Sequence, residues 1–363
     1  MKVFFIVPYP SEGASNRLRV EQYLPYLNQR GIEFKVRPFF SKSFYKILYQ
    51  KGCYIKKFAY FVINSLNRIF DLFRILKYDL VFIHREAFPI GPAVFEYLVY
   101  KIGKPIIFDF DDAIYLSSTS RSNRFIAVFK VPQKAGKVIR FSKHIIAGNN
   151  YLKEFALKYN KNITVIPTCI ETSEYKPEAR PSGDNKNKVV IGWVGSETTK
   201  GFLDALRDVF KVIADKYPNV HFEIVGADYK IDGFPFLHCK KWSLETEMND
   251  LRKFDIGIMP MPDNEWTKGK CGFKAILYMS MGIPTVCSTV GVNTKIIKDG
   301  VNGFLANSDE EWIEKLSLLI EDSALRFRMG MAGRHTVEEK YSLKVNAPSF
   351  LEVLEKAYGA SIL

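Results

Sequence analysis

Residues 268–305, KGKCGFKAILYMSMGIPTVCSTVGVNTKIIKDGVNGFL, decide the fold. The stretch starts with a glycine-rich loop at 269–272, continues as a short apolar helix over about 273–281, and reaches a buried strand at 284–287. The first N–H groups of a helix have no partner inside it and carry partial positive charge, so such a junction binds anions. Three lysines crowd this junction: Lys268, Lys270 and Lys274. The pattern indicates a phosphate site, and a glycine-bounded core helix with solvated lysines is the alternative.

Short apolar strands alternate with helical segments on both sides of this stretch, for example helices at 17–30 and 125–141. This alternation predicts parallel sheets with crossover helices, the doubly wound α/β arrangement. A polar stretch without periodicity, 171–187, is interpreted as a linker. We therefore predict a first domain over 1–170, a second over 188–345, and a final helix over 346–363 that packs back on the first domain.

The charge of the chain is uneven. Residues 1–170 hold 27 Lys and Arg against 11 Asp and Glu, a balance of +16, whereas residues 171–363 have a balance of −3. A basic half indicates a polyanionic partner, either a membrane surface or nucleic acid. The five scattered cysteines predict reduced thiols in a cytoplasmic protein, without a disulfide or a zinc site. The amino terminus, MKVFFIVPYPSEG, predicts a buried strand rather than a signal peptide, and no membrane span is expected.

Residues 41–77 combine aromatic and aliphatic side chains at helical spacing with eight basic residues and a single acidic one, Asp71. Basic amphipathic helices of this kind lie in the membrane interface. The segment is therefore a candidate membrane-interfacial element. The alternative is a pair of core-facing helices whose lysines extend to solvent.

Part of the chain resembles a known family. Three motifs are similar to the donor-binding core of retaining glycosyltransferases of the GT-B fold, family 4. They are GFKAILYMSMGIP at 272–284, VGVN at 290–293 and DGVNG at 299–303. The resemblance is specific over 188–305. It implies two doubly wound Rossmann-like domains facing a central cleft, with a nucleotide-sugar donor on the second domain, an acceptor on the first, and no metal or other cofactor.

The chain departs from the family at one point. The family usually has two glutamates eight residues apart, and Gly269 and Leu277 occupy those positions here. A branch of the family with a Lys-Cys-x-Phe-Lys loop resembles residues 270–274 better. Glu265 is the nearest carboxylate that could replace one glutamate.

A second glycine-rich loop, GWVGSETTKG at 192–201, follows a strand and opens a helix. The resemblance implies that it grips the donor diphosphate, although Ser196 stands where the family has an arginine. Trp242 falls where family members hold the base, with core burial as the alternative. The donor-binding candidates are Gly13, Gly195, Ser196, Thr199, Lys200, Trp242, Glu265, Lys270, Gly272, Phe273 and Lys274.

In the first half, FDFDDAIY at 108–115 sets three carboxylates at the end of a buried strand. Three neighbouring carboxylates repel one another unless cations or a ligand pair with them, which indicates a site. A helix cap with solvated neighbours is the alternative. The catalytic candidates, which would orient the acceptor hydroxyl, are His84, Asp111 and Asp112. The acceptor-binding candidates are Arg17, Arg19 and Asp109.

We therefore expect a retaining glycosyltransferase that moves a sugar from a UDP- or GDP-sugar to a lipid-linked or polysaccharide acceptor in cell-envelope glycan synthesis. It would work in the cytoplasm, on the anionic inner face of the cytoplasmic membrane. A catalytically silent sugar-nucleotide-binding module on the membrane is the alternative, because the paired glutamates are missing. A nucleic-acid binder is the weakest hypothesis, since no recognition motif accompanies the charge.

Overall fold

The computed structural model describes residues 1–48, 50, 52–116, 131, 133–178 and 188–359. These residues form two compact units. Unit 1 comprises Met1–Thr168, Gly269–Cys271 and Asn346–Leu363, and unit 2 comprises Cys169–Lys268 and Gly272–Val345. Parts of two predicted segments lie outside the described residues. They are residues 125–130 and 132 of the predicted helix at 125–141, and residues 179–187 of the predicted linker.

Among the described residues, unit 1 contains a six-stranded parallel sheet in the order β2-β1-β3-β4-β5-β6. Its strands are β1 (Lys2–Val7), β2 (Glu33–Pro38), β3 (Leu80–His84), β4 (Ile106–Phe110), β5 (His144–Ala147) and β6 (Ile163–Val165). Its first helices are α1 (Ala14–Arg19), α2 (Leu24–Gln29), α3 (Lys42–Leu48), α4 (Tyr54–Arg74), α5 (Val94–Lys101), α6 (Lys134–Phe141) and α7 (Asn150–Leu157). Every residue of β3 and β4 is buried, because helices cover both faces of a parallel sheet.

The described part of unit 2 repeats this plan, with the strand order β12-β11-β10-β7-β8-β9. Its strands are β7 (Val189–Val194), β8 (Val220–Val225), β9 (Leu237–Lys240), β10 (Ile256–Met259), β11 (Thr285–Ser288) and β12 (Phe304–Ala306). Its helices are α8 (Arg207–Lys216), α9 (Glu247–Leu251), α10 (Glu265–Lys268), α11 (Phe273–Ser280), α12 (Asn293–Ile296), α13 (Asp309–Glu321) and α14 (Ser323–Thr336). The prediction of two doubly wound domains is confirmed.

One helix, α15 (Leu343–Gly359), continues from unit 2 into unit 1. Its Phe350 is 1% exposed. The ring stacks on Tyr23 with 4.2 Å between centroids and lies 5.3 Å from the ring of Phe82 on β3. Residues from the far end of the sequence therefore complete the core of unit 1.

The helix predicted over 17–30 is wrong as a single element. The structure has α1, a 3₁₀ turn at Glu21–Tyr23, and α2. Pro25 occupies the first turn of α2. Proline has no N–H to donate and clashes with the preceding turn, so it starts a helix rather than continuing one.

Helix α4 buries polar side chains against the rest of unit 1. Its buried residues are Asn64, Arg68 and Asp71. Arg68 donates to Asp71 at 3.1 Å and to the carbonyl of Arg37 on β2 at 3.0 Å. Its opposite face exposes large apolar side chains: Tyr54, Ile55, Phe58, Val62, Ile63, Leu66, Ile69, Phe70 and Phe73. One apolar face of α4 is therefore exposed, whereas Tyr60 and Phe61 of the same helix pack against the buried cluster that includes Phe39 and Phe44.

Among the residues that the structure describes, no helix combines the length and the apolar composition that crossing a bilayer requires.

Candidate functional site

Each sheet has one point at which the chain reverses the direction in which it adds strands. In unit 1 this point lies between β1 and β3, and in unit 2 it lies between β7 and β10. In doubly wound proteins, ligands bind beyond the carboxyl ends of the strands at this point. The loops that follow these four strands are therefore where the functional side chains are expected.

In unit 1, the ends of β3 and β4 bring together a buried ionic group. His84 and Asp109 are neighbours in the sheet register, and His84 Nδ1 lies 2.6 Å from Asp109 Oδ2. Arg19 from α1 donates to both carboxylate oxygens of Asp109, with Nε at 3.2 Å from Oδ2, and to the carbonyl of Ile166 at 2.8 Å. The exposed fractions of Arg19, His84 and Asp109 are 2%, 0% and 0%. The three side chains therefore do not reach solvent themselves.

Charge pairing fixes the ionisation of this group. Burial alone would raise the pKa of Asp109, but the charge of Arg19 and the hydrogen bond from His84 hold that pKa below its ordinary value. Burial alone would lower the pKa of Arg19, and the charge of Asp109 outweighs it, so the pKa of the guanidinium is raised. Asp109 is therefore a carboxylate and Arg19 a cation at neutral pH.

The next two carboxylates are held by a second arginine. Arg85 donates from Nε to Asp111 at 2.6 Å and from Nη2 to Asp112 at 3.2 Å. Its backbone has φ of 60°, a conformation that costs energy for a residue other than glycine. Burial would raise the pKa of Asp111, but the charge of Arg85 outweighs it and lowers that pKa. The predicted repulsion within 109–112 is therefore relieved by arginines of the chain itself.

The tripeptide 269–271 completes this part of unit 1. Lys270 Nζ lies 3.4 Å from Asp112, and the thiol of Cys271 donates to the carbonyl of Asp111 at 3.0 Å. Asn149 donates to the carbonyls of Gly269 and Lys270 at 3.1 and 3.0 Å. Burial raises the pKa of the Cys271 thiol to about 12, so it stays protonated. The sequence grouped Lys270 with Lys274, whereas the structure assigns the two lysines to different units.

The predicted residues of unit 1 therefore divide by accessibility. Arg19, His84 and Asp109 are buried, so contact with a substrate must pass through a neighbour. Asp111, Asp112 and Arg17 are partly exposed, and Arg17 donates to the carbonyl of Ser11 at 3.2 Å. Gly13 lies at the start of α1, where an added Cβ would be 2.5 Å from the Cβ of Tyr9. Only a glycine fits this turn.

Sequence reasoning did not identify Ser15. Its Oγ lies 2.5 Å from Nε2 of His84, and its side chain is partly exposed. The available signal was its position after β1, two residues beyond Gly13, but the partner is 69 residues away along the chain.

In unit 2, the loop after β7 is tightly packed. An added Cβ on Gly195 would lie 2.1 Å from the ring of Trp193, so this turn requires glycine. Ser196 Oγ bonds Thr198 at 2.8 Å, and Thr199 precedes the 3₁₀ turn at Lys200–Leu206. Lys200 pairs with Glu197 at 2.6 Å and donates to the carbonyl of Asp228 at 2.7 Å. A phosphate would have to compete with these contacts for the Lys200 ammonium.

The loop after β10 leads to the amino terminus of α11. Gly272 precedes this helix with φ of 66°, and Phe273 is its first residue. Lys274 lies in the first turn, with its ammonium 5.3 Å from the ring centroid of Trp193. Glu265, by contrast, is exposed and lies 3.6 Å from Lys268. Lys274 and the first N–H groups of α11 therefore form the positive end of this junction.

Two further features flank this region of unit 2. Trp242 is partly buried and packs against the core, so a face for stacking on a base is only partly accessible. A cavity of about 320 Å³ is lined by residues that include Phe202, Pro260, Asp263 and Asp309. Its charged lining is acidic and does not include Lys200 or Lys274, so it does not suit a phosphate.

Part of the chain is similar in sequence to known glycosyltransferases. The family model described as glycosyl transferases group 1 matches residues 188–322. The chain is 25% identical over 180 residues to the capsular polysaccharide biosynthesis glycosyltransferase CapM of Staphylococcus aureus, an alignment that covers 47% of this chain and 46% of CapM. The chain thus spans about half the length of this curated relative.

Solved structures match over almost the whole chain. Anabaena Alr3699/HepE in complex with UDP-glucose matches with a TM-score of 0.72 and 16% identity, over 98% of this chain and 100% of HepE. WaaG, a glycosyltransferase involved in lipopolysaccharide biosynthesis, matches with a TM-score of 0.61 and 13% identity, over 97% and 99% of the two chains. At these identities the matches establish the fold. The chain therefore has the GT-B fold, and its residues 188–322 are similar to the glycosyl transferases group 1 family.

Proposed function

We propose that this chain transfers a sugar, with retention of its anomeric configuration, from a UDP- or GDP-sugar to a hydroxyl of a lipid-linked or glycan acceptor. The family match at 188–322 carries the proposal, because those residues form the sheet whose β7 and β10 loops hold the candidate anion-binding groups. HepE, which shares the fold, binds UDP-glucose. The donor nucleotide is therefore expected on unit 2.

The chemistry required of unit 2 is stabilisation of the departing nucleoside diphosphate. Lys200 and Lys274, with the first N–H groups of α11, supply positive charge where negative charge develops. Lys270 is the further candidate cation, once it leaves Asp112. Ser196, Thr199 and the glycine turns at 195 and 272 let the backbone approach phosphate oxygens. With these groups in place, the reaction is expected to need no metal ion.

The missing glutamates support the alternative of a silent binding module. Leu277 occupies one of the two positions and is 1% exposed in the core, so it cannot substitute for a carboxylate. A panel of UDP- and GDP-sugars, incubated with the protein and a lipid extract as acceptor source, separates the two functions. Release of free nucleotide, with a product whose anomeric configuration matches the donor by NMR, supports transfer. Nucleotide binding without release would contradict the proposal in favour of the silent module.

We also propose that unit 1 docks on the anionic inner face of the cytoplasmic membrane and takes its acceptor there. The outward face of α4 supports this, since Ile55 and Phe58 are 87% and 70% exposed. Contiguous exposed apolar surface of this kind marks an interaction site. Exposed apolar residues of α5, including Val94, Tyr97 and Tyr100, extend the apolar surface over a helix that contacts α4.

The charges around this face favour an anionic lipid surface over a protein partner. Lys56, Arg74 and Lys77 are exposed on α4 or just after it. Each basic residue near an anionic bilayer adds about 1 kcal/mol of attraction, and aromatic and aliphatic side chains bury in the interface. Docking would confine the protein to the surface that holds a lipid-linked acceptor. Cell-envelope glycan synthesis in the cytoplasm is the corresponding setting.

Vesicle sedimentation tests the docking. Binding should rise with the fraction of phosphatidylglycerol, fall with salt, and drop in Phe58→Ser and in the double variant Lys56→Glu, Lys57→Glu. The matched control is Phe327→Ser on α14 of unit 2, because Phe327 is also 70% exposed. If wild-type protein stays in the supernatant with every lipid mixture, or if Phe327→Ser weakens binding as much as Phe58→Ser, the docking proposal fails. Lys51, the third lysine of this segment, lies outside the described residues.

A further inference from the structure

The reversal point of the unit 1 sheet holds a pair of side chains that no sequence motif connects. Ser15 comes from α1, which follows β1, and His84 is the last residue of β3. These are the two strands between which the sheet reverses. Ser15 Oγ and His84 Nε2, 2.5 Å apart, therefore meet where a doubly wound unit binds its ligand.

Behind this pair lies a continuous line of buried polar groups. His84 contacts Ser15 through Nε2 and Asp109 through Nδ1, and Asp109 is paired with Arg19. Arg19 in turn donates to the carbonyl of Ile166. Of the four side chains in this line, only Ser15 is more than 2% exposed. Any influence of His84 on a substrate must therefore pass through the Ser15 hydroxyl.

The ionisation of Asp109 sets the direction of each hydrogen bond. A carboxylate can only accept, so Nδ1 of His84 carries a proton and donates it to Asp109. In the neutral imidazole, Nε2 then has a lone pair, and it accepts from the Ser15 hydroxyl. With this imidazole neutral, the Ser15 proton is directed inward, and its oxygen lone pairs face outward.

This polarity selects the chemical class of the ligand. The outward side of Ser15 Oγ has no proton to donate. It can therefore accept a hydrogen bond from a hydroxyl but cannot donate one to a phosphate oxygen. The same oxygen can pass a proton inward, because His84 can take up the proton that Ser15 releases. His84 would then be an imidazolium between Ser15 and the ionised Asp109, which stabilises its charge.

We propose that Ser15 contacts the attacking hydroxyl of the acceptor and relays its proton to His84. The acceptor O–H bond breaks as its oxygen bonds the anomeric carbon, and the bond from that carbon to the diphosphate breaks with its electron pair leaving on the nucleotide. The acceptor proton moves to Ser15 Oγ while the original Ser15 proton moves to His84 Nε2. After the product departs, the proton returns through Ser15 to water. Ser15 is the catalytic residue, and His84, Asp109 and Arg19 position it.

The inference rests on the proposed sugar transfer, and the kinetic test separates the two. Ser15→Ala should lower kcat by about 10²- to 10⁴-fold, the range of one proton-transfer group, and leave the Kd for nucleotide within twofold. Ser15→Thr, which keeps the hydroxyl, should recover to within about tenfold of wild type. Ser11→Ala is the matched control, because that hydroxyl bonds Glu21 at 2.7 Å in the same loop and does not contact His84.

A second measurement tests the hydrogen-bond direction without substrate. The ¹⁵N chemical shifts of the His84 imidazole can be assigned because they are lost in His84→Asn. They should show the Nδ1–H tautomer, and the Nε2 shift should change in Ser15→Ala. If the shifts show the Nε2–H tautomer, the inference is wrong. It is also wrong if the wild-type protein is active and the kcat of Ser15→Ala lies within threefold of the wild-type kcat. A wild-type protein that turns over no donor overturns the proposed function and this step with it.

Discussion

Replacing Asp109 with asparagine should destabilise unit 1 strongly. The substitution keeps the shape of the side chain but removes the charge that faces Arg19, which is 2% exposed and also donates to the uncharged carbonyl of Ile166. Removing one partner of a buried ion pair leaves the other charge uncompensated and costs about 3–5 kcal/mol. With a urea m-value of about 2 kcal/mol/M, the midpoint should fall by about 1.5–2.5 M.

The two units can be followed separately in this experiment. All four tryptophans lie at position 193 or later and belong to unit 2. Tryptophan fluorescence therefore reports unit 2, whereas far-ultraviolet circular dichroism reports both units. Asp109→Asn should shift the transition seen by circular dichroism and leave the fluorescence transition in place. The matched control is Glu33→Gln, because the Lys2–Glu33 pair at 2.9 Å is exposed and screened by water, so no shift is expected.

Two outcomes would refute this reasoning. If the dichroism midpoint of Asp109→Asn stays at the wild-type value, Arg19 is not a buried charge that depends on Asp109. If both probes shift together, the loss is not confined to unit 1, and the assignment of this ion pair to the stability of that unit is wrong.

Three further outcomes are expected. Lys200→Ala and Lys270→Ala should each weaken nucleotide binding by about ten- to a hundredfold in titration calorimetry, since a charge-assisted contact to an anion contributes about 1.5–3 kcal/mol; unchanged affinity in both would mean that the donor site is elsewhere. Turnover should survive EDTA, and loss that magnesium or manganese restores would instead indicate a metal-dependent reaction. Burial raises the pKa of Asp109, but Arg19 and His84 lower it below 3.8, so the stabilisation by this carboxylate is full above that pH and is lost as the pH falls further. The stability of Asp109→Asn should therefore lack this loss at low pH. The same acid dependence of stability in Asp109→Asn and wild type would contradict the assignment.

The fold was predictable from sequence because its signals are local. Apolar runs such as 144–147 and 256–259 coincide with β5 and β10, and glycines bound the elements where the chain must turn. The break between α1 and α2 also had a local signal in Pro25, which a helix pattern extended over 17–30 ignores. Local patterns of this kind determine which elements form.

The candidate site was predictable only where one strand end carries several polar residues. The cluster at 109–112 is visible in the sequence, but its cations come from Arg19, Arg85 and Lys270, which are distant in the chain. The pairing of Ser15 with His84 depends on β1 and β3 being neighbours in the sheet, and a single sequence does not give strand order. For α4, periodicity showed an apolar face but could not tell whether that face is covered.

The packing of Phe350 on Tyr23 and Phe82 has a consequence for how the chain is made. The largest part of unit 1, Met1–Thr168, is synthesised first, yet its core lacks this ring until the ribosome has also added the 177 residues between Thr168 and Asn346. At about 5–20 residues per second, that takes roughly 10–35 s. During this interval the surface of Tyr23 and Phe82 that Phe350 covers stays open, and a nonsense codon before position 350 would remove that ring from the core of unit 1.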